Sequence, residues 1–149
     1  MNTIGNKNFV VDADDIENVK AHQWHIATIG YPCTYINGVQ TTLHRYLIDT
    51  DAETIDHING DKTDNRRCNL RPATQMENAR NSKMSINNTS GYKGVWWSKE
   101  KKKYCAEIRT MKKKKHLGYF ISPIDAAKAY DKAAMEYFGS FAKTNFAMK

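Results

Sequence analysis

Residues 53–80, ETIDHINGDKTDNRRCNLRPATQMENAR, leave the backbone few choices. A short run with Ile55 and Ile58 at apolar positions ends in Asn59-Gly60-Asp61, a turn signature. A loop follows, and residues 69–74 supply a second short strand that Pro72 breaks just before the chain turns. Thr74 stands three residues ahead of Glu77, the spacing of a capping box, which predicts a helix from about Gln75 with Asn78 in its first turn. Such a strand, loop, strand, helix unit can bring Asp56, at the end of the first strand, to Asn78, although 22 residues separate them.

The side chains that this unit gathers suit hydrolysis of a phosphodiester. Histidine is the side chain best poised near neutral pH to take a proton from water, and His57 stands beside Asp56 at a strand end. A hard divalent ion such as Mg²⁺ takes a few oxygen ligands and keeps its other positions for water and phosphate. Each of these residues alone reads as a turn or cap residue; their joint spacing with the capping box favours a site. Cys33, Cys68 and Cys105 lie far apart with no CxxC pair, so they are expected to be reduced packing residues, with neither a disulfide framework nor structural zinc.

Charge divides the chain. Residues 1–89 hold 9 Lys and Arg against 11 Asp and Glu, whereas residues 90–149 hold 14 against 5, so the second half is the candidate for phosphate contact. Eight Tyr, five Phe and three Trp supply apolar surface for folded domains and argue against a disordered chain. Asn2, Asn6 and Asn8 stand where a signal peptide would be apolar, and apolar runs are short, which points to a cytoplasmic protein.

Residues 9–11 read as a strand, and residues 16–24 as a weakly helical segment that Asp12, Asp14 and Asp15 cap. Residues 25–48 read as β throughout, turning at Asn37-Gly38. His22 and His25 have no partner at metal-ligand spacing. His44 and Arg45 are supporting candidates: Arg45 could place a cation near a phosphate, and for His44 a structural hydrogen bond outweighs a direct catalytic role. Residues 82–90, rich in Ser and Asn, read as a linker between residues 1–81 and 91–146. Three strand-like runs follow, YKGVWW, KYCAEIRT and KHLGYF. Then Ser122-Pro123-Ile124-Asp125 starts a helix that Gly139 stops, with an alanine-rich packing face. Lys93, Arg109 and Lys112 to Lys115 are expected on the free face of the sheet.

Residues 44–81 resemble the HNH nuclease family, in the homing-endonuclease branch without zinc-binding cysteines. The resemblance implies that His57 is the general base, that Asp56 and Asn78 hold Mg²⁺ or Mn²⁺, and that Asn69 fixes the loop that orients the histidine, with Asn65 a second candidate for that role. Residues 90–146 are similar to the plant ethylene-response-factor DNA-binding domain: GYKGVWW, AEIR, LGYF, DAAKAYDKAA and the closing NF fall in family order. That resemblance implies DNA contacts at Lys93, Trp96, Ser98, Glu107, Arg109, Lys114 and His116. The plant target sequence does not transfer, because Trp96, Ser98 and His116 replace residues that the plant domains use to read bases.

The expected fold class is therefore α+β, a β-rich N-terminal region with a ββα-metal HNH nuclease module, then a three-stranded antiparallel sheet packed on one helix. The expected function is a DNA endonuclease of homing type, phage or bacterial and monomeric, whose partner is double-stranded DNA. The competing readings are a DNA-binding regulator with an inactive nuclease-like half and, third, an RNA-cleaving enzyme.

Overall fold

The computed structural model describes residues 9–82, 84–110 and 113–146. It is α+β and divides into two compact units, one ending at Asn78 and the other beginning at Ala79.

In the first unit, a 3₁₀ turn at Ala13–Asp15 leads into helix α1 (Ile16–Lys20). The acids ahead of α1 do not cap it through their side chains. Asp12 instead accepts from the Arg67 backbone N at 2.7 Å, and Asp15 takes the Arg67 guanidinium at 2.7 and 2.9 Å. Strands β1 (His25–Ile26), β2 (Pro32–Ile36) and β3 (Val39–Thr42) form an antiparallel sheet that turns at Asn37-Gly38, both at positive φ. The β reading of residues 25–48 holds for His25–Ile26 and, past a turn closed by Gly30 N on the Ala27 carbonyl, for Pro32 to Thr42; Leu43–Leu47 is a helical turn, α2. Leu43 and Leu47, four apart and buried, share one helical face and pack with Phe9, Val11, Val19 and Trp24. That i,i+4 burial outweighs the strand propensity of the flanking residues.

Strand β4 (Thr54–His57) pairs antiparallel with β5 (Leu70–Ala73), and helix α3 (Gln75–Arg80) follows. Pro72 does not break β5, which continues to Ala73, because in a two-stranded sheet the proline lacks only an outward-facing donor. The capping box forms: Glu77 N donates to Thr74 Oγ1 at 3.2 Å and Thr74 N to Glu77 Oε2 at 2.9 Å.

The second unit is the sheet β6 (Val95–Ser98), β7 (Lys103–Arg109) and β8 (Lys114–Phe120), in that order and antiparallel, covered on one face by helix α4 (Pro123–Phe138). Ser122 Oγ accepts from Ile124 N at 3.2 Å, Pro123 opens α4, and Gly139 ends it at φ 53°. Ala126, Ala127, Ala133 and Ala134 are buried, and they let α4 lie close to Val95, Ala106 and Ile108. The approach is so close that a Cβ on Gly94, itself at φ 74°, would lie 2.0 Å from the Tyr130 ring. Asn88 and Ser90, at the end of the linker-like stretch, donate to backbone carbonyls of Tyr92 and Val95. No described helix is long and apolar enough to cross a membrane.

Candidate functional site

Strand β4 delivers Asp56 and His57 as neighbours, both buried, at 2% and 4% exposure. Asp56 lies directly across the ladder from Arg71, which donates from Nε at 2.9 Å and Nη2 at 2.6 Å to Asp56 Oδ2. Asn78 Nδ2 donates to Thr54 Oγ1 at 3.3 Å. Thr54 and Asp56 share a strand face because side chains alternate, so the Asn78 carboxamide sits on the Asp56 side of β4.

His57 is oriented by Asn65. The Asn65 amide donates to the Lys62 carbonyl at 3.2 Å, which turns Oδ1 toward His57 Nε2, 3.3 Å away. This network assigns the ring proton to Nε2, and the basic lone pair is that of Nδ1. Asn69 locks the loop that carries Asn65. Its Nδ2 donates to the Asp64 carbonyl at 2.7 Å and to Asn59 Oδ1 at 3.0 Å, and its Oδ1 accepts from Asn59 N at 3.0 Å. Arg66 and Asn59 hold Asp64 in turn, and the Arg66 hydrogen bonds keep the Asp64 carboxyl below its ordinary range.

A second imidazole stands beside His57. His44, 8% exposed, meets it edge to face with ring centroids 5.1 Å apart, and Tyr31 lies 5.0 Å from His44 and 5.8 Å from His57. His44 Nε2 is 3.2 Å from Thr42 Oγ1, and its buried Nδ1 has no hydrogen-bond partner among the described residues. Burial, then His57 and Arg45, lower the His44 pKa to about 4. Burial also lowers that of His57, opposed by the Asn65 hydrogen bond and by Asp56, Asp61 and Asp64. Both rings are therefore neutral at pH 7. Arg45 serves the fold: its guanidinium donates to the Ala52 and Glu53 carbonyls and ties down the approach to β4.

In the second unit, Trp96, Cys105 and Tyr119 form one rung across the sheet, with Glu107 opposite His116 and Arg109 opposite Lys114. Trp96 and Tyr119 remain 47% and 42% exposed, His116 packs on Tyr119 with centroids 4.6 Å apart, and Lys114 lies 3.2 Å from Glu107. Two predicted contact residues are not presented with them. Lys93 Nζ donates to the Arg80 and Ser82 carbonyls at 2.8 and 2.7 Å, and burial, then Lys143, lower its pKa to about 8. Ser98 is buried, with its hydroxyl accepting from Lys101 N. Lys112 lies outside the described residues, and Lys115 donates to the Tyr137 hydroxyl. Of the cysteines, Cys33 and Cys105 are buried, but Cys68 is exposed and is no packing residue.

Sequence comparison bears on the same residues. The family model described as HNH endonuclease matches residues 48–80, which hold β4, β5 and α3. "Uncharacterized HNH endonuclease L560" of Acanthamoeba polyphaga mimivirus is 30% identical over 142 residues, 91% of this chain and 73% of that protein. The chain belongs to the HNH endonuclease family. "Protein 3.8" of Escherichia phage T7 is 42% identical over 62 residues, 42% of this chain and 50% of its own length. HNH nucleases typically use a divalent metal, and the residues present fit one. Among the described residues no three His, Cys, Asp or Glu could form a closed cage. The donors on the Asp56 side of β4 are instead the Asp56 carboxylate and the Asn78 carboxamide, hard oxygens that suit a Mg²⁺-type ion completed by water and phosphate.

Sequence reasoning did not single out Arg71, Tyr31 or Asn59. Arg71 was readable only through the ladder register, which puts it opposite Asp56. Tyr31 lies 26 positions before His57 and carried no local signal.

Proposed function

We propose that this HNH family member is a DNA endonuclease of homing type that hydrolyses phosphodiester bonds with a divalent metal, Mg²⁺ or Mn²⁺, and His57 as general base. The observation that carries the reading is the 3.3 Å contact between Asn65 Oδ1 and His57 Nε2: with the Asn65 amide on the Lys62 carbonyl it selects the Nε2–H tautomer, which makes Nδ1 the atom that takes the water proton. As the ring becomes cationic, the Asn65 carbonyl and the carboxylates of Asp56, Asp61 and Asp64 stabilise it. Asp56 and Asn78 would hold the ion, which when bound neutralises charge on the phosphate and the leaving oxygen.

Residues 91–146, in this reading, act as an ethylene-response-factor-like domain that binds duplex DNA. The supporting feature is a helix-free sheet face that combines Trp96, Tyr119 and His116 with Arg109 and Lys114 in the basic half of the chain. Lys93 and Ser98 are left out of the contacting set, because their polar atoms serve the fold.

Incubating the purified chain with a random-site duplex library and Mg²⁺, then mapping the ends, tests activity and target preference together. Recurrent cut ends that vanish with a chelator are expected. DNA that is bound but uncut with both Mg²⁺ and Mn²⁺ would favour the regulator reading instead.

A further inference from the structure

Asp56 is almost fully buried, and a buried carboxylate requires compensation. Arg71 supplies it: two guanidinium nitrogens converge on the one oxygen Oδ2. Arg71 comes from the strand position facing Asp56, so the pairing is built into the β4–β5 register. The same carboxylate is the ligand assigned above to the divalent ion. A dication at Asp56 faces the fixed charge of Arg71 at short range, and the two cations compete for one anion. A guanidinium released from a carboxylate has a matching alternative in a phosphate, which presents the same paired oxygens to its planar fork.

We propose that Arg71 gates the site: it holds Asp56 while no substrate is present and transfers to a DNA phosphate when one arrives, so that metal and DNA bind cooperatively. The inference rests on the assignment of Asp56 as a metal ligand. It makes Arg71 a phosphate-binding and positioning residue of the site, and it supplies a physical reason for a cation beside a metal ligand.

Mn²⁺ titrations of the full chain followed by electron paramagnetic resonance, with and without a short phosphorothioate duplex, test the gate without relying on turnover. In the wild type the duplex should raise Mn²⁺ affinity about tenfold, a coupling within the usual allosteric range. In R71Q, DNA-free Mn²⁺ affinity should rise by a similar factor, and the effect of the duplex should shrink to the part that direct phosphate coordination of the ion supplies. R71K keeps the charge but loses the fork, and it should lie between the two. If R71Q does not fold by circular dichroism, R71K decides alone: DNA-free Mn²⁺ affinity equal to or weaker than wild type overturns the gate. D56N separates this inference from its foundation. Unchanged Mn²⁺ binding in D56N removes the metal assignment itself, whereas binding lost in D56N but unaltered in the Arg71 variants removes only the gate.

Discussion

His44 is the residue whose chemistry departs furthest from its surroundings. A buried imidazole with one unpartnered nitrogen costs stability that an apolar residue would not. Its folded pKa of about 4 lies below the ordinary 6.5, so the unfolded chain takes up its proton first as the pH falls. The stability it leaves intact above pH 6.5 is therefore lost progressively toward pH 4, by about 3 kcal/mol when complete. His57, depressed in the same direction, adds to the loss. Urea unfolding at pH 7, 5.5 and 4 should show a smaller fall for His44→Gln than for the wild type. Equal falls in the two proteins would mean that the fold does not depress the His44 pKa.

At the scale of elements, α3 joins local sequence to the site. Its capping box sets where the helix begins, and the start of the helix sets where Asn78 projects. Thr74→Ala should cost about 1 kcal/mol, read as a lowered thermal midpoint. It should also weaken Mn²⁺ binding if Asn78 is a ligand; unaltered metal affinity in a folded but destabilised variant would argue against that role. Capping boxes, Asn-Gly turns and Ser-Pro helix starts were legible because each is decided within four residues. That is why α3, the β2–β3 hairpin and α4 could be placed from sequence alone. The helical turn at Leu43–Leu47 was not, because only packing against Phe9, Val19 and Trp24 distinguishes it from a continued strand. The contacts that tune the site were hidden for a related reason. Arg71 meets Asp56, Arg67 meets Asp15 and Tyr31 meets His57 across 15, 52 and 26 positions, and no local periodicity records such pairings. Asp131 is a further case: its carboxylate accepts from the backbone N of Asn145 and of Phe146, so the closing Asn-Phe pair anchors the end of the second unit.

For the molecule as a whole, the proposed function divides the work between the two units by charge. The second unit, with its excess of Lys and Arg, is expected to provide most of the DNA affinity through phosphate contacts, which release counterions. A double Arg109→Ala, Lys114→Ala variant should reduce the slope of log affinity against log salt by about 2, measured by fluorescence anisotropy with a labelled duplex. An unchanged slope would move the DNA contacts off the face that carries Trp96 and Tyr119. In the proposed mechanism the first unit carries the chemistry, which turns on one proton transfer at His57. The most direct test follows nicking of supercoiled plasmid with Mg²⁺ by the wild type and by His57→Ala, alongside a gel shift on the same DNA. The expected result is DNA binding retained and nicking lost in the variant, whereas nicking at the wild-type rate by His57→Ala would contradict the assignment of His57 as the base.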